Sequence, residues 1–397
     1  MHILSILSTV FVIVILVRYI YKNRYAAILS PFFWVVLLFL FYFQVPSVFV
    51  NEINIFFDWF IQSDDIFTSL LISNSFSVFF ACLLLIIKAD DSHSVLICNA
   101  KNNCSGIVKF IWLVIFVYLA FVVTYKFLTG ALYMSNEYTG ELVDVFKLKN
   151  LAYLLLPVSI YFFFDKKSVY VFIPNVLLII LDLLTGSRTT ALIAIVPIAV
   201  SLCLYKQKLY ITPIIIIMSA LIAIGIIRSN NVVQDVPWYL NSIGEFRETY
   251  ITLPLLIGNE EYIGHGDLYT LIASPMLALL QPMRGIISES IVLPGEYIYG
   301  IVDRGYGLGA NIITESFFYG YAFLFFVPVA ILFICIIVNH IIYRCDTPKA
   351  AIHISMFIIF MRLIFREGFY YNAGLYLFVF AVYVLPIILI NRAKVSE

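Results

Sequence analysis

Long apolar stretches separated by short polar segments recur along the whole chain. Runs of about 20 apolar residues are long enough to cross a bilayer as helices. The pattern predicts eleven spans: Ile3–Tyr21, Pro31–Val50, Phe67–Ile87, Ile107–Tyr125, Leu151–Phe164, Ser168–Leu184, Thr190–Tyr205, Tyr210–Ile227, Ser316–Tyr343, Ala350–Phe365 and Ala373–Asn391. The sequence therefore predicts an all-α, polytopic integral membrane protein with about 11 transmembrane helices, forming a single membrane domain over residues 1–397.

The composition agrees with this pattern. The chain has 397 residues, of which 63% are apolar and 12% are charged, whereas soluble domains carry roughly 25% charged residues. The first span has no basic residues before it and no small-residue cleavage site, which favours a retained helix over a signal peptide. None of the six cysteines falls in a predicted outer loop, and no CxxC or His/Cys cluster occurs. The sequence therefore predicts neither a disulfide framework nor a metal site.

The charges divide unequally between the two sides of the predicted membrane. One set of loops holds 14 basic and five acidic residues, and the rest of the chain holds 10 basic and 19 acidic residues. Because short cytoplasmic loops are enriched in Lys and Arg, the first set is predicted to be cytoplasmic. The N-terminus is then outside the membrane and the C-terminus inside.

One predicted outer segment is much longer than the others. It covers residues 228–315 and contains two apolar stretches, Tyr250–Ile257 and Leu268–Met283, that are too short to span the membrane. Such stretches are typical of interfacial or re-entrant helices. We therefore expect a large periplasmic loop that lies at the membrane surface, which suits a substrate that is part lipid and part polar.

Past residue 150, every basic residue on the predicted outer side is an arginine. These seven residues are Arg188, Arg228, Arg247, Arg284, Arg304, Arg362 and Arg366. The predicted cytoplasmic set has ten lysines and four arginines. A planar guanidinium holds an oxyanion with several donors and a charge that never titrates, so the outer arginines indicate anion binding. Interaction with lipid headgroups or with a neighbouring acid is the alternative.

Three of these arginines have informative neighbours. Arg188 lies in a very short hairpin between two spans, and Asp182, six residues earlier, is expected to pair with it. Arg362 and Arg366 lie one helical turn apart, where two like charges repel. That spacing is best tolerated when an anion of about two negative charges, such as a diphosphate, binds between them.

Three local motifs carry a resemblance to a known family. The first is Leu184-Thr185-Gly186-Ser187-Arg188-Thr189, between two spans. The second is Arg284 followed after ten residues by Gly295, in the outer loop. The third is Glu315 followed after four residues by Gly320. In these motifs and in its predicted topology, the chain resembles the Wzy-type O-antigen polymerases, the oligosaccharide repeat-unit polymerases of bacterial envelopes. The predicted topology resembles that of the family over most of the chain, and the three motifs together cover about twenty residues.

The resemblance implies a metal-independent glycosyltransferase without a cofactor. Such an enzyme moves a growing glycan from undecaprenyl diphosphate onto the next lipid-linked repeat unit, at the periplasmic face of the bacterial inner membrane. Its partners would be the lipid-linked donor and acceptor, the bilayer and a chain-length regulator protein, with no nucleic acid. The sequence agrees: it contains no P-loop, no GxGxxG after a strand and no DxD-type pair in an outer loop.

The predicted site combines a diphosphate clamp with a general base. The clamp is drawn from Arg188, Arg284, Arg362, Arg366, Arg304 and Arg247, which would stabilise the departing diphosphate. The candidate bases are Glu315, at the start of the ninth span, and His265, in a glycine-rich turn of the outer loop. Glu315 as a counter-ion for an arginine, and His265 as a solvated loop residue, are the structural alternatives.

Two other functions remain open at this point. An O-antigen ligase uses a similar donor, but the late histidines His340 and His353 are predicted on or near the cytoplasmic side rather than in the outer loop. A transporter of the lipid-linked glycan would be expected to show internal repeats and spans broken near the membrane centre. The sequence shows no clear repeat.

Overall fold

The computed structural model of the chain describes residues 2–87, 104–129, 146–185, 189–209, 236–259 and 310–393. Every regular element within these residues is helical. In chain order the α-helices are α1 (His2–Asn23), α2 (Pro31–Phe39), α3 (Val45–Val48), α4 (Val50–Phe56), α5 (Ser63–Ile86), α6 (Gly106–Leu128), α7 (Leu148–Lys166), α8 (Ile173–Thr185), α9 (Thr189–Lys206), α10 (Trp238–Ser242), α11 (Gly244–Ile257), α12 (Ile312–Tyr319), α13 (Tyr321–Arg344), α14 (Thr347–Glu367), α15 (Phe369–Val379) and α16 (Leu385–Ala393).

Shorter helical turns connect some of these elements. Turns of 3-10 helix cover Arg24–Leu29 and Val169–Phe172. Two π-helical turns, Leu40–Gln44 and Phe380–Val384, continue α2 and α15 without a break. A π-turn accommodates one extra residue within a helix and is frequent at functional sites.

Nine segments within the described residues are long and apolar enough to cross a membrane. They are Ile3–Leu29, Pro31–Val48, Ser63–Ile86, Gly106–Leu128, Leu148–Lys166, Thr189–Lys206, Tyr321–Arg344, Thr347–Glu367 and Asn372–Arg392. They coincide with nine of the eleven predicted spans. The sixth predicted span occurs as a shorter apolar helix, Val169–Leu183, and the eighth, Tyr210–Ile227, lies outside the described residues. The prediction of an all-helical, polytopic membrane protein is thus confirmed for the described part of the chain.

The start of the ninth span differs from the prediction. The sequence pattern predicts one uninterrupted helix from Ser316, whereas the chain forms the short helix α12 and then the separate helix α13. Gly320 lies between them with φ 111° and ψ 162°, a backbone conformation outside the helical region. Glycine adopts positive φ without steric cost, so a single residue interrupts the apolar run. Glu315 therefore lies in α12 and not at the start of the span.

The helices belong to two compact units. The first comprises Met1–Ala89, Ile215–Ile337 and Phe360–Phe378, and the second comprises Asp90–Ile214, Val338–Ile359 and Val379–Glu397. In the first unit, α5 packs against α1, α2 and α11, and α11 packs against α12. In the second unit, α9 packs against α7 and α8, and α6 packs against α7. The single domain over residues 1–397 stays a prediction.

The predicted loop over residues 228–315 is partly helical. Its described residues form α10, α11 and the beginning of α12. The apolar stretch Tyr250–Ile257, predicted as an interfacial or re-entrant helix, forms the second half of α11. Tyr250, Ile251 and Leu253 are fully buried, so this half of α11 packs into the first unit. The second apolar stretch, Leu268–Met283, lies outside the described residues.

Polar side chains hold the first helices of this unit together. The hydroxyl of Ser8 in α1 lies 2.9 Å from Oε1 of Gln44 and 2.8 Å from Oδ1 of Asn74 in α5. Gln44 Nε2 donates to the same Asn74 oxygen over 2.8 Å. Gln44 ends the first π-turn and is fully buried. Hydrogen bonds of this kind between apolar helices fix their mutual register, since hydrocarbon offers no competing partner.

Candidate functional site

A buried carboxylate joins two helices of the first unit. Glu315 in α12 is 4% exposed. Its Oε2 accepts the backbone N–H of Phe369, the first residue of α15. The first N–H groups of a helix have no partner within the helix and carry partial positive charge, so a carboxylate there is favourable. Glu315 therefore stabilises the start of α15.

The turn between α14 and α15 consists of one residue, Gly368. Its φ is 101°, in the region that favours glycine. A Cβ built on Gly368 would lie 2.7 Å from both the carboxylate carbon and Oε2 of Glu315, and 2.8 Å from Oε1. Glycine is therefore required here for the backbone conformation and for the approach of the carboxylate.

A buried amide closes the same turn from the other side. Asn372 in α15 is fully buried, and its Nδ2 donates to the carbonyl of Gly368 over 2.9 Å and to that of Leu363 over 3.3 Å. These bonds connect the first turn of α15 to the Gly368 turn and to the last turns of α14. The Oδ1 of Asn372 accepts no hydrogen bond within the described part of the chain. This oxygen is a buried acceptor that the described contacts leave unused.

Hydrogen bonds also fix the short helix that carries Glu315. Asn311 caps α12, since its Oδ1 accepts the N–H groups of Ile313 and Thr314 over 3.0 and 2.9 Å. Its Nδ2 donates to Thr252 Oγ1 in α11 over 3.1 Å. The hydroxyls of Thr252 and Thr314 lie 3.1 Å apart. Because all these groups are buried, α12 is held on α11 in one register.

Two of the predicted clamp residues lie at the end of α14, next to the Gly368 turn. Arg362 is 6% exposed, and Arg366 is about one-third exposed with its Nη1 3.4 Å from Oε1 of Glu367. A buried guanidinium is costly unless a partner compensates its charge. Glu315 contacts the turn that follows α14, and Arg362 and Arg366 lie in the last two turns of α14. That these residues form one site stays a prediction.

Arg247 is bound within the first unit. Its Nε and Nη2 donate to Oε1 of Glu248 over 2.9 and 2.7 Å, and its Nη1 donates to the carbonyl of Leu240 over 3.0 Å. The guanidinium carbon lies 3.7 Å from the centre of the Phe57 ring, which is a favourable cation–π geometry. Arg247 thereby connects α10 to α11. Its role as a diphosphate ligand stays a prediction.

A buried tyrosine lies on the same helix as Arg247. The hydroxyl of Tyr250 is 3.4 Å from the hydroxyl of Ser69 in α5. Burial raises the pKa of Tyr250 to about 12, although hydrogen bonds from Ser69 and Ser73 oppose the shift. Tyr250 is therefore neutral at physiological pH and acts as a hydrogen-bonding group between α11 and α5.

The remaining predicted residues are not part of the described structure. Arg188, His265, Arg284 and Arg304 lie outside the described residues, so their roles stay predictions. Among the described residues, no group of three or more His, Cys, Asp or Glu side chains has a geometry suited to a metal ion.

A scan of protein-family models and searches of curated proteins and solved structures found no match to this chain.

Asp182, in the second unit, has the same kind of contact as Glu315. It is 3% exposed, and its Oδ2 accepts the backbone N–H of Ala191 near the start of α9 over 2.7 Å. The two residues belong to consecutive helices, α8 and α9. Asp182 was expected to pair with Arg188, which directly precedes α9 in the chain. The observed contact shows that Asp182 caps α9, and its pairing with Arg188, which lies outside the described residues, stays a prediction.

Sequence reasoning missed three residues of the site. Gly368, Asn372 and Asn311 have short polar or absent side chains at the edges of apolar runs, where loops are common. One signal for Gly368 was available, because a glycine directly after a helix that ends in charged residues is typical of a helix C-terminus. Asn372 had no such signal, since its partners are backbone carbonyls at the end of the preceding helix.

Proposed function

We propose that this protein is a glycosyltransferase that polymerises undecaprenyl-diphosphate-linked oligosaccharide repeat units at the periplasmic face of the inner membrane. The observation that carries the proposal is the set of charged residues near Gly368, of which Glu315 and Arg362 are buried and Arg366 is about one-third exposed. A carboxylate and two arginines lie at one end of an apolar helix, where isolated charges are costly. Such residues are expected where a protein must stabilise negative charge at the membrane surface, as in glycan transfer from a lipid diphosphate.

The arginines and the carboxylate have different roles in the proposed reaction. The acceptor hydroxyl attacks the anomeric carbon of the donor, and the bond from that carbon to the diphosphate oxygen breaks. The bonding electrons move to the departing diphosphate. Arg362 and Arg366, with Arg188 and Arg284 from the outer segments, would stabilise the negative charge that builds there. Such stabilisation acts mainly in the transition state and therefore raises the rate.

Glu315 is the proposed base. A carboxylate has two oxygens with about four acceptor positions, and the N–H of Phe369 uses one of them. The bond to α15 fixes the orientation of the carboxylate, whose ionised form would take the proton of the acceptor hydroxyl. The unpaired Oδ1 of Asn372 is a second acceptor beside the same turn. His265, in the outer loop, is the alternative base.

Helix interruptions are the observation that favours a transporter instead. Broken spans near the membrane centre form the substrate sites of many transporters. Here the glycine breaks at Gly320 and Gly368 lie outside the bounds of the candidate spans Tyr321–Arg344, Thr347–Glu367 and Asn372–Arg392. Breaks at span ends serve a surface site better than a path through the membrane. An O-antigen ligase would use similar chemistry with a different acceptor.

The lipid-linked intermediates of a deletion strain distinguish these functions. Without a polymerase, undecaprenyl diphosphate carrying one repeat unit accumulates and longer lipid-linked chains disappear. The accumulated unit is then on the periplasmic face, where a lectin added to spheroplasts can bind it. Loss of a transporter leaves the unit on the cytoplasmic face, protected from the lectin. Loss of a ligase leaves long lipid-linked chains in place. Mass spectrometry of the extracted lipids, with lectin accessibility, gives a different result for each function.

A further inference from the structure

A lateral groove in the second unit has a lining suited to a hydrocarbon chain. Its volume is about 670 Å³, and it lies along one face of α6 and the first turns of α7. Tyr118 and Val114 of α6 and Leu154 of α7 line it, with Tyr383 from the second π-turn. Val114 is 50% exposed and Tyr118 is 37% exposed. The groove therefore presents apolar and aromatic side chains on the surface of the unit.

Two lysines lie near one end of this groove. Lys147 is part of the lining and directly precedes α7. Its backbone is left-handed, with φ 49°, so the chain turns sharply there. The Nζ of Lys126, in the last turn of α6, lies 6.0 Å from the ring centre of Phe146, which also lines the groove. The groove thus combines an apolar length with a cationic end.

The distribution of lysines along the chain makes this end unusual. On the predicted outer side, the basic residues past residue 150 are all arginines, and those before it are the lysines Lys126, Lys147 and Lys149. All three lie at the end of α6 or the start of α7. Lysine offers a flexible and strongly hydrated point charge, whereas arginine offers a rigid fork. A flexible cation suits a phosphate group that arrives and leaves with a mobile lipid.

We propose that this groove binds the isoprenoid tail of a polyprenyl-phosphate lipid, with Lys126 and Lys147 against its phosphate groups. The inference rests on the proposed function, which requires a lipid-linked diphosphate in the outer leaflet. Charge favours this lipid over a phospholipid, because a diphosphate ester carries at least two negative charges and a phosphodiester headgroup carries one. Two lysines at one groove end complement the larger charge.

Binding can be measured without turnover. Native mass spectrometry of the purified full-length protein, titrated with undecaprenyl phosphate, would give the dissociation constant. We expect saturable binding of one lipid. The Lys126→Ala/Lys147→Ala double variant should bind about tenfold more weakly for each lysine removed. Val114→Trp, which fills the groove and keeps both lysines, should also weaken binding. Lys208→Ala, which removes an exposed lysine of the same unit, should bind like the wild type.

Competition identifies the ligand. Neutral undecaprenol and phosphatidylglycerol should each compete poorly with undecaprenyl phosphate. Equal competition by phosphatidylglycerol would show a general anionic-lipid surface and overturn the proposal. Equal binding by the wild type, the double-lysine variant and Val114→Trp would overturn it as well. A failure of the polymerase proposal gives a different result: the groove binds the lipid as expected, but deletion of the gene leaves chain length unchanged.

Discussion

At the scale of single residues, the site depends on a carboxylate packed against a glycine. The Glu315 side chain occupies the space that a Cβ at position 368 would need, and the positive φ of Gly368 excludes most other residues. The contact joins residues 54 positions apart in the chain. It fixes both the start of α15 and the orientation of the proposed base. Different substitutions can therefore test its contribution to stability and its contribution to activity separately.

Gly368→Ala is expected to destabilise the protein. The new methyl group would meet the Glu315 carboxylate at 2.7 Å, and the backbone would be strained, at a cost of about 1–3 kcal/mol. Thermal unfolding of the detergent-solubilised protein measures this as a lower melting temperature. Gly244→Ala is the matched control, since a Cβ there meets nothing within 4 Å. Equal melting temperatures for Gly368→Ala and Gly244→Ala would refute the close contact.

Glu315→Gln separates the base from the structural contact. The amide oxygen of glutamine can still accept the N–H of Phe369, so the protein should reach a nearly normal level in the membrane. It has no carboxylate to take a proton, so polymerisation should be abolished. The measurement is the ladder of chain lengths at matched protein level, with His265→Ala in parallel. A normal ladder from Glu315→Gln would restrict Glu315 to a structural role. Loss of the ladder in His265→Ala alone would identify His265 as the base.

At the scale of helices, buried carboxylates fix where two helices begin. Asp182 accepts an N–H group near the start of α9, as Glu315 does at the start of α15. Each carboxylate comes from a different helix than the one it caps. Their negative charge interacts favourably with the positive end of the helix. These contacts define where the two helices begin, a position that apolar periodicity alone predicts only to within several residues.

Asp182→Ala is expected to destabilise α9 more than Asp182→Asn. Alanine removes the acceptor of the Ala191 N–H bond, and loss of such a cap costs about 0.5–2 kcal/mol. Asparagine keeps an acceptor oxygen and loses only the charge. The melting temperatures of both variants in the same detergent measure the difference. If alanine and asparagine gave the wild-type value, the Asp182 contact would contribute nothing to stability.

The sequence predicts the spans well because their signal is local. A run of about 20 apolar residues is enough to indicate a membrane helix, and nine predicted spans have counterparts in the structure. The break at Gly320 was missed because one glycine in a long apolar run is compatible with a continuous helix. Glu315 was found as a candidate from its motif. Its contact with Gly368 was not, because the sequence gives no distance between residues so far apart.

At the scale of the whole molecule, the proposed site requires the outer loops to lie on the periplasmic side of the membrane. The unequal division of Lys and Arg predicts that α9 ends in the cytoplasm and that α11 lies at the periplasmic side. A phosphatase reporter, active only in the periplasm, should be inactive when fused after Lys206 and active when fused after Asn259. An active fusion at Lys206 would reverse the predicted topology and place Glu315 on the wrong face for an external donor.

The most direct test of the central claim is the length of the surface polysaccharide when the gene is deleted. Lipopolysaccharide from the deletion strain is separated on a gel beside that of the wild type and of the strain with the gene restored. A polymerase loss is predicted to leave lipid A-core carrying a single repeat unit, with the ladder recovered on restoration. Bare core would contradict the account and indicate a ligase or a transporter, and an unchanged ladder would exclude this chain from polymer synthesis.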